Sequence, residues 1–551
     1  MSAIKYTIQV LIKVKSFFSA KGEFLFFCLI IVLTALPVLR FTFFPTLDGP
    51  AHLYNSNLLQ TLLFRSDPVI DTYFKINTTP VPNWFVQVLL PLFNFIMPAQ
   101  WAEKILLLLY IAGLPLTFRY MVVRINPSGA LLSYFIFPFI YSFMLHLGLY
   151  NFCFSVILLL LGIHYWISHH SNLGVYNFLV ITALVTLVFF SHIIIWGVLF
   201  IGLFFIALSV FFRDSVVSGS RKKIFQRTLL FLVIAYLPSA TLFIEYLGWI
   251  PKFWGSSTVP FDEKLSWIRE SRALIALDRA KESFYTSSLF FLVLSLSVIL
   301  IYRKVSDSEV TAAAKNFFRR AVSFLKTFIT ANDHFLFTAI AVLILFLQLP
   351  STLGFIIGGF VTEKLCFLIY LFFILWIASK HWQRWIKFIS IVVILWIHLN
   401  LISSRWGSIK ELDENARECI AIAEKIETDA IVLPVNYSVN WLHAHFSNYL
   451  GIEKPLVILE NFQANDGYFP LVWKYARVPD LRIDTVPSDG LCLKWPSNRN
   501  NPVQGIEYVL VWGDFESKND ACALWLKSIL AEKYRLMHKS KIAGLYRYDV
   551  N

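Results

Sequence analysis

The stretch Phe24–Phe44, FLFFCLIIVLTALPVLRFTFF, decides the fold. Its only charge is Arg40, near the end, and about 20 apolar residues are enough to cross a hydrocarbon core some 30 Å thick. No small-residue cleavage pattern follows it; Arg40 and Pro45 lead into a loop, so it reads as a retained first span rather than a removed signal peptide. Runs of the same kind recur along the chain. The whole sequence of 551 residues is 57% hydrophobic and only 15% charged, against about 25% charged in soluble domains. A soluble enzyme, a secreted disulfide scaffold and a disordered chain are excluded.

Net charge is +13, but it divides at residue 404, with +15 before it and −2 after it. The basic excess therefore belongs to the apolar part, where Lys and Arg in short cytoplasmic loops set orientation, and nucleic acid is not an expected partner. Of six cysteines, Cys28, Cys153 and Cys366 lie in apolar runs as packing residues. Cys419, Cys492 and Cys522 permit at most one disulfide beyond them, with no zinc spacing.

Around the first span, Ile4–Ser19 has helical spacing with Lys5, Lys13, Lys15 and Lys21, which suits a helix on the anionic inner leaflet and a cytoplasmic amino terminus. The first outer loop, 45–99, contains two helical stretches, Ala51–Phe64 and Val81–Met97, expected to lie along the outer surface. Ten further spans are expected at about 100–123, 129–146, 150–167, 173–191, 193–212, 228–249, 285–302, 334–349, 364–379 and 386–403. They place the basic clusters at Arg119 and Arg124, at 169–170, 213–227, 303–326 and 380–387 inside, which supports eleven spans and an outer carboxyl terminus. Residues 405–551 change texture, with helical patterns at 409–427 and 521–534 and β-like runs at Ala430–Val435, Leu456–Leu459, Tyr508–Trp512 and Ile542–Tyr548. The expected fold is a polytopic α-helical membrane protein, residues 1–404, carrying a C-terminal extracytoplasmic α/β domain, residues 405–551.

Chemistry is expected where the first span ends, at Pro45-Thr46-Leu47-Asp48-Gly49-Pro50-Ala51-His52. A carboxylate there meets both a lipid-borne donor and a water-borne acceptor, and suits a general base that takes the proton of an attacking hydroxyl. The same residue type before Gly-Pro also serves as a helix N-cap. Both readings of Asp48 stand at this point.

With this motif, Asp48-Gly49-Pro50-Ala51-His52-Leu53-Tyr54, and with its arrangement of spans, outer loop and outer domain, the chain resembles the GT-C superfamily. These are integral membrane glycosyltransferases that use polyprenyl-phosphate sugars, and the likeness is to bacterial members such as protein mannosyltransferases and the aminoarabinose transferase of lipid A. The resemblance implies a multi-pass protein of a bacterial inner membrane, with its carboxyl-terminal domain in the periplasm. It also implies transfer of a sugar from a polyprenyl-phosphate carrier to a lipid, glycan or protein acceptor on the outer side. Asp48 would be the catalytic base, with Asp67 and Asp71 as weaker substitutes. Many relatives carry two adjacent acidic residues here. Gly49 takes the second place, which argues against metal binding; no cofactor is expected.

A polyprenyl-phosphate leaving group needs cations. The outer loop 251–284, read as one helix over 262–283, would put Arg269, Arg272 and Arg279 on one face, either against phosphate or as a solvated amphipathic face. Lys364, beside Glu363 at a span end, is a phosphate ligand or a snorkelling lysine. Glu245, one turn inside its span, is expected to face a polar cavity or a partner, and His52 completes the expected substrate-binding set. His146, Asn151 and His192 fall near outer span ends. His443-Ala444-His445 forms a His-x-His pair with no third ligand in sight, and Trp441, Tyr468, Phe469, Trp473 and Trp495 read as core or as sugar platforms. Asn77-Thr78-Thr79 and Asn436-Tyr437-Ser438 match the glycosylation pattern. The competing reading is a non-catalytic membrane protein that binds a lipid-linked glycan or a partner through its outer domain. A transporter is disfavoured, because no broken-helix repeat is visible.

Overall fold

The computed structural model describes residues 2–213, 218–249, 257–307, 332–352, 359–467, 469–477 and 506–549. Expectations for Pro251–Gly255, Lys315, Arg319, Arg320, Lys326, Tyr468, Cys492 and Trp495 lie outside the described residues.

Helix α1 (Ser2–Arg40) leads into α2 (Gly49–Gln60), α3 (Pro68–Tyr73), the short strand β1 (Phe74–Ile76), α4 (Phe85–Ile96) and α5 (Ala99–Ile125). A 3₁₀ stretch, Pro127–Ile136, is followed by α6 (Phe137–Ile140), α7 (Phe143–His146), α8 (Tyr150–His169), α9 (Val175–Ser191), α10 (Ile193–Arg213) and α11 (Ser218–Trp249). Then come α12 (Phe261–Arg269), α13 (Arg279–Asp307), α14 (His334–Gln348), α15 (Val361–Ala378) and α16 (Arg384–Ala423). Among the described residues nine helical segments are long and apolar enough to cross a membrane, compatible with a multi-pass membrane protein. Two more expected spans coincide with the shorter apolar helices α9 and α14.

The helices sort their ends. At one end Arg119 pairs with Glu23 at 2.5 Å, Lys380 with Asp333 at 2.7 Å, and Lys387 Nζ donates to the Ser128 carbonyl. At the other end α2, the start of α8 and the C-terminal region meet, so Arg119, Lys380 and Lys387 lie at the end of the bundle away from Asp48. The expected span 129–146 is not one helix. It breaks at Tyr141 and Ser142, and the buried Arg405 guanidinium accepts the consequence by donating to the Tyr141 carbonyl at 2.5 Å. Irregular backbone at membrane depth is tolerated where protein surrounds it, and this segment is mostly buried.

The C-terminal region forms a five-stranded sheet from β2 (Ile431–Tyr437), β3 (Val457–Ile458), β5 (Tyr508–Gly513), β6 (Tyr534–Lys539) and β7 (Ala543–Tyr548), in the order β3-β2-β5-β7-β6. β3, β2 and β5 run parallel and β7 and β6 antiparallel. Helix α17 (Phe462–Asp466) and strand β4 (Leu471–Trp473) lie between β3 and β5, and α18 (Ala521–Lys533) follows β5. Cys419 is a buried free thiol, while Cys522 is disulfide-bonded.

Three expectations are corrected. The span 386–403 and the helical pattern 409–427 are one helix, α16, whose 40 residues run for roughly 60 Å, so residue 404 lies inside an element. Residues Ser403-Ser404-Arg405 look like a polar break, yet Arg405 is buried and pairs with Glu282 of α13 at 2.5 Å. Second, 262–283 is not one helix. α12 ends at Arg269, capped by Glu270, where Ser271 takes φ +48°, and the Glu282 carboxylate accepts the backbone N–H groups of Ala276, Leu277 and Asp278 to start α13 afresh. Third, α2 does not lie on an outer surface: all twelve of its residues are buried.

The reason is its polar face, which meets protein instead of water. Asn55 and Asn461 exchange amide hydrogen bonds, and Asn55 also donates to Gln463. Asn57 donates to the Gly451 carbonyl, and the Tyr54 hydroxyl donates to Leu456 O while accepting from Ile458 N. The Tyr54 ring lies so close to Gly451 that a Cβ there would fall 2.5 Å from it. β1 pairs antiparallel with β4, with Phe74 stacked on Trp473, and Glu453 accepts the N–H of Ala99 at the start of α5. The C-terminal region is therefore docked on the first loop at α2 and β1 and at the start of α5.

Candidate active site at the head of the second helix

Asp48 precedes α2 but does not cap it; its side chain makes no capping hydrogen bond. Thr46 does that work, with its Oγ1 accepting Gly49 N–H at 3.1 Å. The hydroxyl then donates to Tyr150, whose phenol donates to the buried Glu103 carboxylate at 2.7 Å. Asp67, by contrast, caps α3 by accepting from Val69 and Ile70. The capping role that sequence left open for Asp48 is thus taken by a neighbour. Backbone bonds from Leu47 N to His146 O and from Asp48 N to Leu147 O fix the loop against the α7–α8 turn.

Gly49 fills its place for a steric reason. A Cβ there would lie 2.6 Å from Thr46 Oγ1 and 2.8 Å from Glu103 Oε1. The space where a second acidic side chain would begin is occupied by the hydrogen-bonded chain that ends on Glu103. Gly148, at φ +75°, approaches Asp48 as closely from the other side.

The Asp48 side chain, 14% exposed, borders a cavity of about 240 Å³ that also meets Lys364, Tyr150, His192, Tyr246 and Phe469. Lys364 is buried, donates to the Gly359 carbonyl at 2.9 Å, and feels the charges of Glu363 and Asp48. A carboxylate and an ammonium in one largely apolar cleft are a costly pairing to bury without a use or a partner. The cavity lies where the head of the helical bundle meets the C-terminal region.

His52 also borders the cavity, but both its ring nitrogens are engaged. Nε2 meets the Gly148 carbonyl at 2.9 Å, and Nδ1 faces the amide nitrogens of Gln87 at 2.6 Å and Gln463 at 2.8 Å. A carbonyl on one nitrogen and amide donors on the other specify the neutral tautomer with its proton on Nε2. Burial, opposed by those hydrogen bonds, pushes the pKa down to about 4. Asn151 is likewise engaged, accepting Val86 N–H and donating to Asn83 O to hold α4.

The other expected residues do not converge there. Arg269 and Arg279 are exposed and both pair with Glu270. Arg272 turns back to its own loop, donating to Ile275 O and lying over the Phe143 ring at 4.4 Å. Glu245 points outward on α11, and its neighbour Tyr246 faces the cavity instead. His146 packs beside Phe44 and Tyr141 rather than lining the cleft.

His443 and His445 belong to separate networks. His443 meets Ser438 and Asn415, and burial lowers its pKa to about 4. The His445 Nδ1 is 2.7 Å from Glu460 Oε1 and its Nε2 is 3.8 Å from Asp48 Oδ1. Two rings in different networks do not chelate one ion, and among the described residues no group of three His, Cys, Asp or Glu side chains is placed to hold a metal. Sequence reasoning missed His445 and Glu460 as neighbours of Asp48, because a separation of about 400 residues leaves no trace in local periodicity. Both glycosylation-pattern asparagines are engaged: Asn77 donates to Gly467 O and Phe469 O, and Asn436 to His443 O. Neither a protein-family model nor a curated protein matches the chain.

Proposed function

We propose that the protein is a membrane glycosyltransferase that moves a sugar from a polyprenyl-phosphate carrier to a hydroxyl-bearing acceptor at the outer face of a bacterial inner membrane. The reading takes the chain as a GT-C-type enzyme with eleven spans, a cytoplasmic amino terminus and a periplasmic C-terminal α/β domain. One observation carries it: Asp48, relieved of capping by Thr46, turns its carboxylate into a cleft that also holds the buried cation Lys364. A disulfide at Cys522 supports an oxidising compartment for that end, and the basic residues Arg119, Lys380 and Lys387 at the other end of the bundle support a cytoplasmic side there.

In this reading Lys364 meets the phosphate and balances the charge that grows on it as the glycosidic bond breaks. Asp48 accepts the proton of the acceptor hydroxyl as its oxygen bonds to the anomeric carbon. The apolar walls, Phe469 and Tyr246 among them, keep water from competing for the sugar.

Asp48→Asn keeps the shape and removes the basicity. Loss of general-base assistance costs about 10²- to 10⁴-fold in rate, so the variant should express and fold normally and behave as a deletion. Mass spectrometry of lipids and envelope glycans is the readout. Both strains should accumulate one polyprenyl-phosphate sugar and lose one glycosylated product. A full product level in the Asn variant removes Asp48 as base, and an unchanged lipid profile in the deletion strain favours the binding protein instead.

A further inference from the structure

The C-terminal region reaches the candidate base through a second titratable side chain. His445 sits between two carboxylates. Its Nδ1 lies 2.7 Å from Glu460 Oε1, and its Nε2 faces Asp48 Oδ1 at 3.8 Å. Glu460 is held in turn by Ser447 Oγ at 2.9 Å and Asn448 Nδ2 at 2.6 Å. The imidazole stacks on Phe462 with ring centroids 4.2 Å apart, and Phe462 lines the cavity. An ionised carboxylate only accepts hydrogen bonds, so Glu460 places the ring proton on Nδ1 and leaves the basic nitrogen toward Asp48.

We propose that His445, oriented by Glu460, is the positioning residue through which Asp48 discharges its proton, so that the C-terminal region completes the catalytic site. This rests on the transferase reading given above. The acceptor hydroxyl forms its bond to the anomeric carbon and gives its proton to Asp48. The bond from that carbon to the phosphate oxygen breaks, and polyprenyl phosphate leaves with the electron pair. Asp48, now a carboxylic acid, passes the proton to His445 Nε2. The resulting imidazolium is stabilised by Glu460 through Nδ1–H, and water takes the proton before the next cycle. The 3.8 Å gap is one side-chain rotation or one bridging water away from a hydrogen bond, and such contacts tighten when substrate binds.

Among the described residues, the charged and titratable groups facing the ring include Asp48 and His52 on the first loop and α2 and Glu460 after β3, and Lys364 of α15 interacts in turn with Asp48. Activity that needs a neutral His445 rises with pH along an acid limb. A carboxylate beside an imidazole favours the charged ring, so removing the charge of Glu460 moves that limb to lower pH.

The test uses the purified full-length protein in liposomes of bacterial phospholipid. The probes are undecaprenyl-phosphate mannose, glucose and aminoarabinose, with envelope extract as acceptor, and the readout is release of undecaprenyl phosphate across pH 5 to 9. Glu460→Gln keeps the side-chain shape and an acceptor oxygen for His445 Nδ1 while removing the charge, with its amide nitrogen turned toward Ser447 and Asn448, and should shift the acid limb downward. His445→Asn replaces the Nδ1 end alone, and should slow transfer at least tenfold and abolish the histidine limb. Variants that lose rate but keep the parent's limb assign Glu460 and His445 to structure alone and overturn the inference. If the parent releases nothing from any probe, the transferase reading falls and takes this inference with it. A misfolded Asn variant leaves the limb shift of Glu460→Gln to decide, since that protein keeps His445.

Discussion

The head of α2 and the segment from α12 to the start of α13 offer the same kind of raw material, charged side chains at the mouth of a helical bundle. They use it in opposite ways. Around Asp48, Thr46, Tyr150, Glu103 and His52 are tied into hydrogen bonds within the protein, and Lys364 is buried in the same cleft. Along 261–279 the arginines are scattered by the turn at Ser271, and Arg269 and Arg279 share Glu270 in the open. Charge at a membrane surface becomes a site only where packing forces it to converge. Exposed ion pairs are worth roughly 0 to 1 kcal/mol, while a buried charge commits the structure around it.

Acid should separate the two regions most strongly. His52 and His443 are neutral in the fold, with pKa values pushed down to about 4. A depressed histidine contributes stability that is complete above its unfolded value near 6.5 and is lost as pH falls from there through 4. Each is worth at most roughly 3 kcal/mol by that linkage. The C-terminal region should therefore loosen from α2 between pH 6.5 and 4, read by proteolysis or hydrogen exchange at Tyr54–Leu58. Protection unchanged down to pH 4 would contradict it.

Lys364→Met keeps the length and apolar stem of the side chain but removes its charge. Hydrogen bonds to charged groups are worth about 1.5 to 3 kcal/mol, so retention of a polyprenyl-phosphate sugar on the purified protein should weaken by roughly 10- to 100-fold. Affinity within twofold of the parent would put the phosphate elsewhere. Gly49→Ala should destabilise by about 1 to 3 kcal/mol through overpacking, because its methyl meets Thr46 and Glu103. Thermal unfolding measures this, and an unchanged midpoint would mean that the Thr46–Tyr150–Glu103 chain yields easily. At the small end, Arg269→Gln with Arg279→Gln should leave donor binding and stability within experimental scatter. A tenfold loss there would erase the contrast between the regions.

Much of the framework was legible in sequence. Long apolar runs at Phe24–Phe44 and elsewhere announce helices through their length alone, and β-like runs near 431, 508 and 543 matched strands of the sheet. Asp48 and Lys364 stood out as charges at the ends of apolar runs, and the cavity brings them together. What stayed hidden has a common physical cause. The buried guanidinium of Arg405 and the polar face of α2 both depend on partners distant in the chain. A polar residue met in sequence reads as exposed, and only the partner reveals otherwise. Strand β6, with its register shift between Leu536 and His538, lacks the regular alternation that would have marked it.

The bonds that seat α2 join residues some 400 positions apart, from Tyr54 to Leu456 and from His52 to Gln463. At about 5 to 20 residues per second, a ribosome needs roughly 20 to 80 s to supply those partners once α2 has emerged. Through that interval His52, Asn55 and Asn57 must be satisfied by water, lipid headgroups or the insertion machinery. The cleft around Asp48 is accordingly among the last parts of the molecule to close, and a nascent chain cut short before residue 445 carries the carboxylate and Lys364 but lacks His445, Glu460, Phe462 and Phe469.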